Sequence, residues 1–118
     1  MHKLLLISVL LVLALSGSLT AADTMLFFTS KTCGPCHRVK DREFPKLVKF
    51  GYQIVDFGDI KPGMVAHIIV VDMDDYPEFS KLYAVDAIPQ FYKLRNGNGS
   101  RLVGYQSAEA ISKFYRSN

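Results

Sequence analysis

The spacing of apolar residues changes period several times along the chain, and each change predicts an element. Met25–Ser30 (MLFFTS) is a short apolar run bounded by polar residues, with the length of a buried strand rather than a helix. After Pro35, apolar residues fall at Val39, Phe44, Leu47, Val48 and Phe50 among Arg, Lys and Asp. This loose 3.6-residue stripe predicts an amphipathic helix with Pro35 in its first turn, where a missing N–H costs nothing. Pro45 should kink this helix or end its first segment, and Gly51 is a stop. Tyr52–Phe57 alternates as a strand does, GDIKPG is a turn-rich connector, and His67–Met73 (HIIVVDM) is a second, more apolar strand. Pro77 opens a short helix with Phe79, Leu82 and Tyr83 on one side. Gln90–Arg95 runs into Asn96-Gly97, a strong hairpin signal, and SRLVGY returns. The C-terminal stretch closes as a helix with Ser107 at its N-cap and Ala110, Ile111 and Phe114 as its stripe. Strand, helix, one or two strands, short helix, hairpin and helix together predict an α/β fold, with a central sheet covered on both faces.

The first 22 residues stand apart from this pattern. His2 and Lys3 give a short basic start, Leu4–Leu15 is an apolar run of 12, and Ser16–Ala22 is small and polar. That is the layout of a secretory signal, with cleavage after Ala22 placing Thr20 at −3 and Asp23 at the mature N-terminus. The competing reading is a retained N-terminal anchor, but a span needs about 20 apolar residues. The division is therefore 1–22 leader and 23–118 a single small domain, periplasmic or secreted, meeting a membrane only where the leader is uncleaved. Residues 23–118 carry 13 Lys/Arg against 11 Asp/Glu, so no charge excess points to nucleic acid.

The chain has two cysteines, both in Lys31–Arg38 (KTCGPCHR), and His37 follows the second. Three chemistries share this lettering: a redox dithiol, a covalent haem clamp, and part of a metal site. Cys33 lies where the first strand hands over to its helix. There, unpaired N–H groups and the helix dipole favour thiolate and can draw a cysteine pKa from ~8.5 to ~3.5–7.5. Cys36, one turn later, is spaced to resolve a mixed disulfide, and Gly34 and Pro35 allow the tight turn. Haem would take His37 as axial ligand and Met64, Met73 or His67 as the second, but it needs an apolar pocket that this strand-rich chain does not suggest. A structural metal needs four ligands, and only His37 and His67 accompany the cysteines. A purely structural disulfide across two residues stabilises little by chain entropy. The redox reading is the strongest, with no cofactor and no metal.

The motifs also resemble a known family. CGPC is the active-site sequence of thioredoxins, and Ala87–Gly97 (AIPQFYKLRNG) is similar to their stretch in which isoleucine precedes a cis-proline, followed by a strand and an Asn-Gly turn. VVDMDDYP resembles the acidic strand end before it, and Gly104 resembles the glycine bordering the substrate groove. The resemblance covers about residues 25–117. It implies a thioredoxin-like fold with a trimmed N-terminus, Pro89 in cis against the dithiol with Ile88 before it, and a monomer exchanging electrons with protein disulfides. Cys33 would attack and Cys36 resolve, with a separate redox partner resetting the pair; the Gly-Pro spacer resembles reductants. Three departures stand out: Thr32 replaces the family's tryptophan, Phe27 its buried aspartate, and Val70 that aspartate's lysine partner. The stretch between the dithiol and DMDD is also about a dozen residues longer than in thioredoxins. His37 has three open readings: a solvated helix position, a tuner of the thiolates, or a proton relay.

Overall fold

The computed structural model of the protein describes residues 23–118; the expected leader, residues 1–22, lies outside them. Among the described residues, the chain begins with β1 (Met25–Thr29) and enters a helical stretch. It continues through β2 (Ile54–Asp56), β3 (Ile68–Asp72), α3 (Glu78–Leu82), β4 (Gln90–Arg95), β5 (Asn98–Val103) and α4 (Ala108–Arg116). The strands form one mixed sheet in the order β2-β3-β1-β4-β5. β1 runs parallel to β3, β3 parallel to β2, and β4 antiparallel to both β1 and β5.

Period-two alternation in β1 sends its residues to two different layers. Met25 and Phe27 enter the main core with Cys36, Val39, Leu47, Ile68, Val70, Phe91 and Ile111, beneath the first helical stretch and α4. Phe27 packs against Phe44 and Phe91 at ring separations of 5.1 and 4.7 Å; such pairs each add about 0.5–1.5 kcal/mol beyond area burial. Phe28 points the other way, toward Phe79 and Tyr83 on and just after α3. Helices thus cover both faces, as the element order predicts.

The helix after the cysteines departs from one uniform period. It comprises α1 (Gly34–Arg38), a π-helical turn (Val39–Glu43) and α2 (Phe44–Lys49), with the Phe44 N–H reaching back to Val39 O. Pro45 sits in the first turn of α2. Its ring would clash with the carbonyl four residues earlier, and the wider turn relieves this without ending the helix. The π-turn also shifts the phase of the buried face. Val39, Phe44 and Leu47 are buried, but Val48 and Phe50, expected on the same stripe, are 57% and 53% exposed. A second correction falls on α3, where Phe79 and Tyr83 stack at 5.6 Å while Leu82 points outward, 72% exposed. The β2 and β3 strands are also shorter than their apolar runs. The hairpin forms where Asn96-Gly97 predicts it, with φ of 54° and 77°, the left-handed pair a two-residue turn needs.

Two buried charged groups tie the last helix down. Lys93 on β4, 4% exposed, donates to Phe114 O and, at 2.6 Å each, to the carbonyl and hydroxyl oxygens of Ser117; its ammonium also lies 4.4 Å from the Phe114 ring centre. These are the carbonyls that a helix C-terminus leaves unpaired. Glu43, on the π-turn and 5% exposed, accepts from Ala108 N at 2.9 Å and from the Tyr105 hydroxyl, with Lys46 Nζ 3.6 Å away. It therefore holds both the start of α4 and the loop before it. The Tyr105 hydrogen bond, with the Ala108 amide and Lys46, holds the carboxyl below its usual 4.5, although burial alone would raise it.

Replacing Lys93 by Met removes its bonds to Phe114 O and Ser117 while Arg95 still holds Tyr115 O and Ser117 O, and the expected loss is about 1–3 kcal/mol, read as a lower urea midpoint at unchanged slope. For Glu43 the sign follows from its lowered folded pKa. As pH falls the unfolded chain takes up the proton first, so the stabilisation is full above the usual value and is lost as pH drops through the lower folded value. Glu43→Gln is accordingly less stable than wild type at neutral pH, and urea titrations at successively lower pH should show the gap closing below about pH 4.5.

Candidate functional site

Strand direction gathers four loops at one edge of the sheet. β1 and β3 are parallel, so Ser30–Cys33 and Asp72–Asp75 leave from the same edge. β4 is antiparallel to β1 with Phe28 opposite Gln90, which brings Ala87–Pro89 there. Gln90 pairs in turn with Val103, which adds Gly104 and Tyr105. Sites in open α/β sheets form at such carboxyl-terminal strand edges.

Cys33 is the N-cap of α1, in extended conformation (φ −87°, ψ 104°). Its Sγ accepts from Cys36 N at 3.1 Å, and its carbonyl from His37 N at 3.1 Å. The two sulfurs are bonded to each other at 2.17 Å, with Cα atoms 5.2 Å apart, so the structure holds the oxidised form. Their environments differ: Cys36 is fully buried in the main core, whereas Cys33 is half-buried and packs on that core from outside. Gly34 and Pro35 are exposed between them. A Cβ on Gly34 would meet only the Arg38 guanidinium, at an ordinary 3.5 Å.

The Ile88–Pro89 peptide is cis. Pro89 is buried, its carbonyl accepts from Gly104 N at 2.8 Å, and Ile88 packs on the same core cluster as Cys33. A mostly apolar hollow of about 250 Å³ lies alongside, lined by Met73, Val85, Asp86, Ala87 and Ile88.

His37 is exposed at the surface, yet its Nε2 is 2.8 Å from Lys31 O. A carbonyl only accepts, so this nitrogen carries the proton and the ring clasps the loop before Cys33. Sequence reading missed the rest of this clasp. Lys31 N donates to Asp74 Oδ2 at 2.8 Å, and Lys31 Nζ reaches Asp75 at 2.8 Å and Asp72 at 3.1 Å. The Asp75 and Asp72 hydrogen bonds raise the Lys31 pKa. Burial would push Asp72 up, but the Asp74 amide and Lys31 hold it below the usual carboxylate range. The signal was present in the run of acids at 72–75, but only the parallel pairing of β1 and β3 shows that a lysine 41 residues away completes it.

The departures are visible in three dimensions. Phe27 and Val70 are register partners in the core, and Thr32 is exposed ahead of Cys33. One pleat further along, Thr29 faces Asp72, and with Lys40, Asp56, Asp75 and Tyr76 they line a polar cavity of about 340 Å³. The Thr29 hydroxyl is buried there with no protein partner among the described residues. His67, the alternative haem ligand, stands before β3, at the opposite end of the parallel strands from Cys33, about 16 Å of strand away. It accepts from Gln53 N at 2.8 Å and meets Tyr52 and Tyr115 edge-on. The larger cleft at that end, about 670 Å³, holds no redox group and is remote from the dithiol.

Comparison with solved structures places the fold. Thioredoxin-2 of the malaria parasite superposes with a TM-score of 0.62 at 19% identity, covering 82% of this chain and 84% of that one. Fasciola hepatica thioredoxin gives 0.59 at 18% identity, covering 83% of each chain. Mitochondrial thioredoxin 3 from Saccharomyces cerevisiae, in its oxidised form, gives 0.57 at 20% identity, covering 80% of this chain and 76% of that one. Comparison with curated proteins gave no significant match. The thioredoxin family profile matches residues 17–117. With that match over most of its length, and a Cys33–Cys36 pair that fits a C-x-x-C active site, the chain belongs to the thioredoxin family.

Proposed function

We propose that the protein is an exported, monomeric thiol–disulfide oxidoreductase that reduces protein disulfides. The observation that carries this reading is the asymmetry of the pair: a half-buried sulfur at a helix start, backed by a fully buried one. In the reduced protein, the Cys36 N–H and the helix start favour Cys33 as the thiolate. Cys33 Sγ attacks one sulfur of a substrate disulfide; the new S–S bond forms as the old one breaks, and the released sulfur leaves as thiolate and takes up a proton. Cys36, deprotonated in turn, attacks Cys33 Sγ and expels the second substrate sulfur. Two electrons pass to the substrate, which becomes a dithiol, while the protein ends in the disulfide form. A donor dithiol of another protein then resets the pair.

The exposed Gly34, Pro35 and Thr32 and the Ile88–Pro89 segment form the contact surface of this reading. Ile88 makes no backbone hydrogen bond among the described residues, which leaves its N–H and C=O for an extended substrate. His37 and Lys31 hold the approach to Cys33. Export rests on the leader-like start of the chain. Among the described residues, no helix is long and apolar enough to cross a membrane.

With dithiothreitol as donor, wild type should accelerate insulin reduction. Cys33→Ser should abolish that activity, and Cys36→Ser should accumulate a mixed disulfide on Cys33, visible as a mass increment removed by reductant. Activity surviving in Cys33→Ser would overturn the assignment of the nucleophile. Intact-mass measurement of protein recovered outside the cytoplasm should give a chain beginning at Asp23; a chain retaining Leu4–Leu15 would replace the secreted form with an anchored one.

A further inference from the structure

The backbone groups of the segment entering β4 are unequally occupied. Pro89 has no N–H, and its carbonyl is taken by Gly104 N. The Ala87 carbonyl is taken by a side chain, Gln90 Nε2, at 2.9 Å. Among the described residues, Ile88 between them keeps both its N–H and its carbonyl free of hydrogen-bond partners, while Ala87 keeps only its N–H. Gln90 is fully buried, directly opposite Phe28 on β1. An amide so enclosed keeps its orientation when both of its ends are engaged, and here they are. Arg101 on β5 donates Nη1 to Gln90 Oε1 at 2.6 Å, which fixes the oxygen and turns the NH₂ toward Ala87. Arg101 is itself held at two further points: its Nη2 donates to Tyr83 O just beyond α3, and its guanidinium lies 4.9 Å from the centre of the Tyr92 ring. A continuous chain of contacts therefore runs from the end of α3 through Arg101 and Gln90 to Ala87.

We infer that Gln90 and Arg101 are positioning residues that set the angle at which Ile88 offers its backbone to an extended polypeptide, and so govern affinity for protein disulfides rather than the sulfur exchange. The inference rests on the oxidoreductase reading above. Neither residue needs to touch substrate. With the brace in place, the Ala87 carbonyl is turned inward and spent, the hollow beside Ile88 keeps its wall of Ala87 and Ile88, and an incoming strand meets one defined donor and acceptor. Without it, the Ala87 carbonyl is free to rotate outward and compete for the same strand. A small aromatic disulfide has no polypeptide backbone to pair and needs only access to Cys33.

The test compares two substrates in the variants Gln90→Leu and Arg101→Met. The expected result for Gln90→Leu is a KM for insulin raised about tenfold, the scale of one lost hydrogen bond, with kcat within about twofold. Reduction of 5,5′-dithiobis(2-nitrobenzoate) should change less than about twofold, as should the dithiol–glutathione equilibrium constant. Arg101 is exposed, so Arg101→Met keeps the test available where Gln90→Leu does not fold, and it should give the same pattern at about threefold or more in KM. Equal losses on both substrates, a displaced glutathione equilibrium, or an unchanged insulin KM would each overturn the inference. A wild-type protein that reduces neither substrate would instead overturn the oxidoreductase reading on which it rests.

Discussion

The hydrogen bond from Cys36 N–H to Cys33 Sγ is the contact around which the site is organised. It exists because Cys33 takes the N-cap position and lets its sulfur do what a serine or aspartate oxygen does at other helix starts. One backbone bond thereby satisfies an orphan donor of the first turn and, once the pair is reduced, is placed to favour negative charge on the outward sulfur. Cys36 is fixed by the same turn, with its side chain directed inward among Phe27, Val39 and Val70. The difference in exposure between the sulfurs, on which the proposed division of labour rests, follows from helix geometry and burial, without a buried charged partner at positions 27 and 70.

Those two positions show how the chain departs from its family without losing the fold. Phe27 and Val70 face each other across β1 and β3, and the space that a carboxylate and an ammonium would occupy is filled by aromatic packing against Phe44 and Phe91. Polar groups on this face begin one pleat later, at Thr29 and Asp72, where the strands approach the edge. There the carboxylates do mechanical work. Asp72, Asp74 and Asp75 grip Lys31 by its side chain and its N–H, while His37 holds the carbonyl of the same residue. The loop delivering Cys33 is thus held through both backbone groups of a single residue, Lys31.

Local chemistry made the dithiol, the hairpin and the caps legible in the sequence. Asn96-Gly97 can adopt left-handed conformations cheaply, Ser107 can cap a helix from its own side chain, and the C-x-x-C spacing is one helical turn. The cis geometry at Pro89 was legible only through the family resemblance, because nothing in an isolated X–Pro pair selects it. Errors arose where a longer-range effect reset the pattern. The π-turn at Val39–Glu43 rotates everything after it, so a stripe counted at constant period assigns Val48 and Phe50 to the core when they lie outside. Leu82 was misplaced because the two faces of a one-turn helix are decided by what lies beneath, here Phe28 and the Phe79–Tyr83 stack. Glu43, Lys93 and Gln90 are of types usually found at the surface; each is buried against a partner distant in the chain, 65, 21 to 24 and 11 residues away, that no local window contains.

These buried polar residues share a logic. A small core close to the lower size limit for a single domain gives limited rigidity through apolar contact alone. The hydrophobic driving force is also non-directional, whereas a hydrogen bond fixes an angle as well as a distance. Directional bonds supply the missing constraint at points where orientation matters. Glu43 aligns the start of α4 and the Tyr105 loop with the dithiol helix, Lys93 closes the end of α4, and Gln90 with Arg101 sets the segment before β4. Each joins elements that the sheet leaves free to shift against one another, and two of the three act on loops at the edge where Cys33 emerges. Apolar burial builds this domain, and a few enclosed hydrogen bonds aim it.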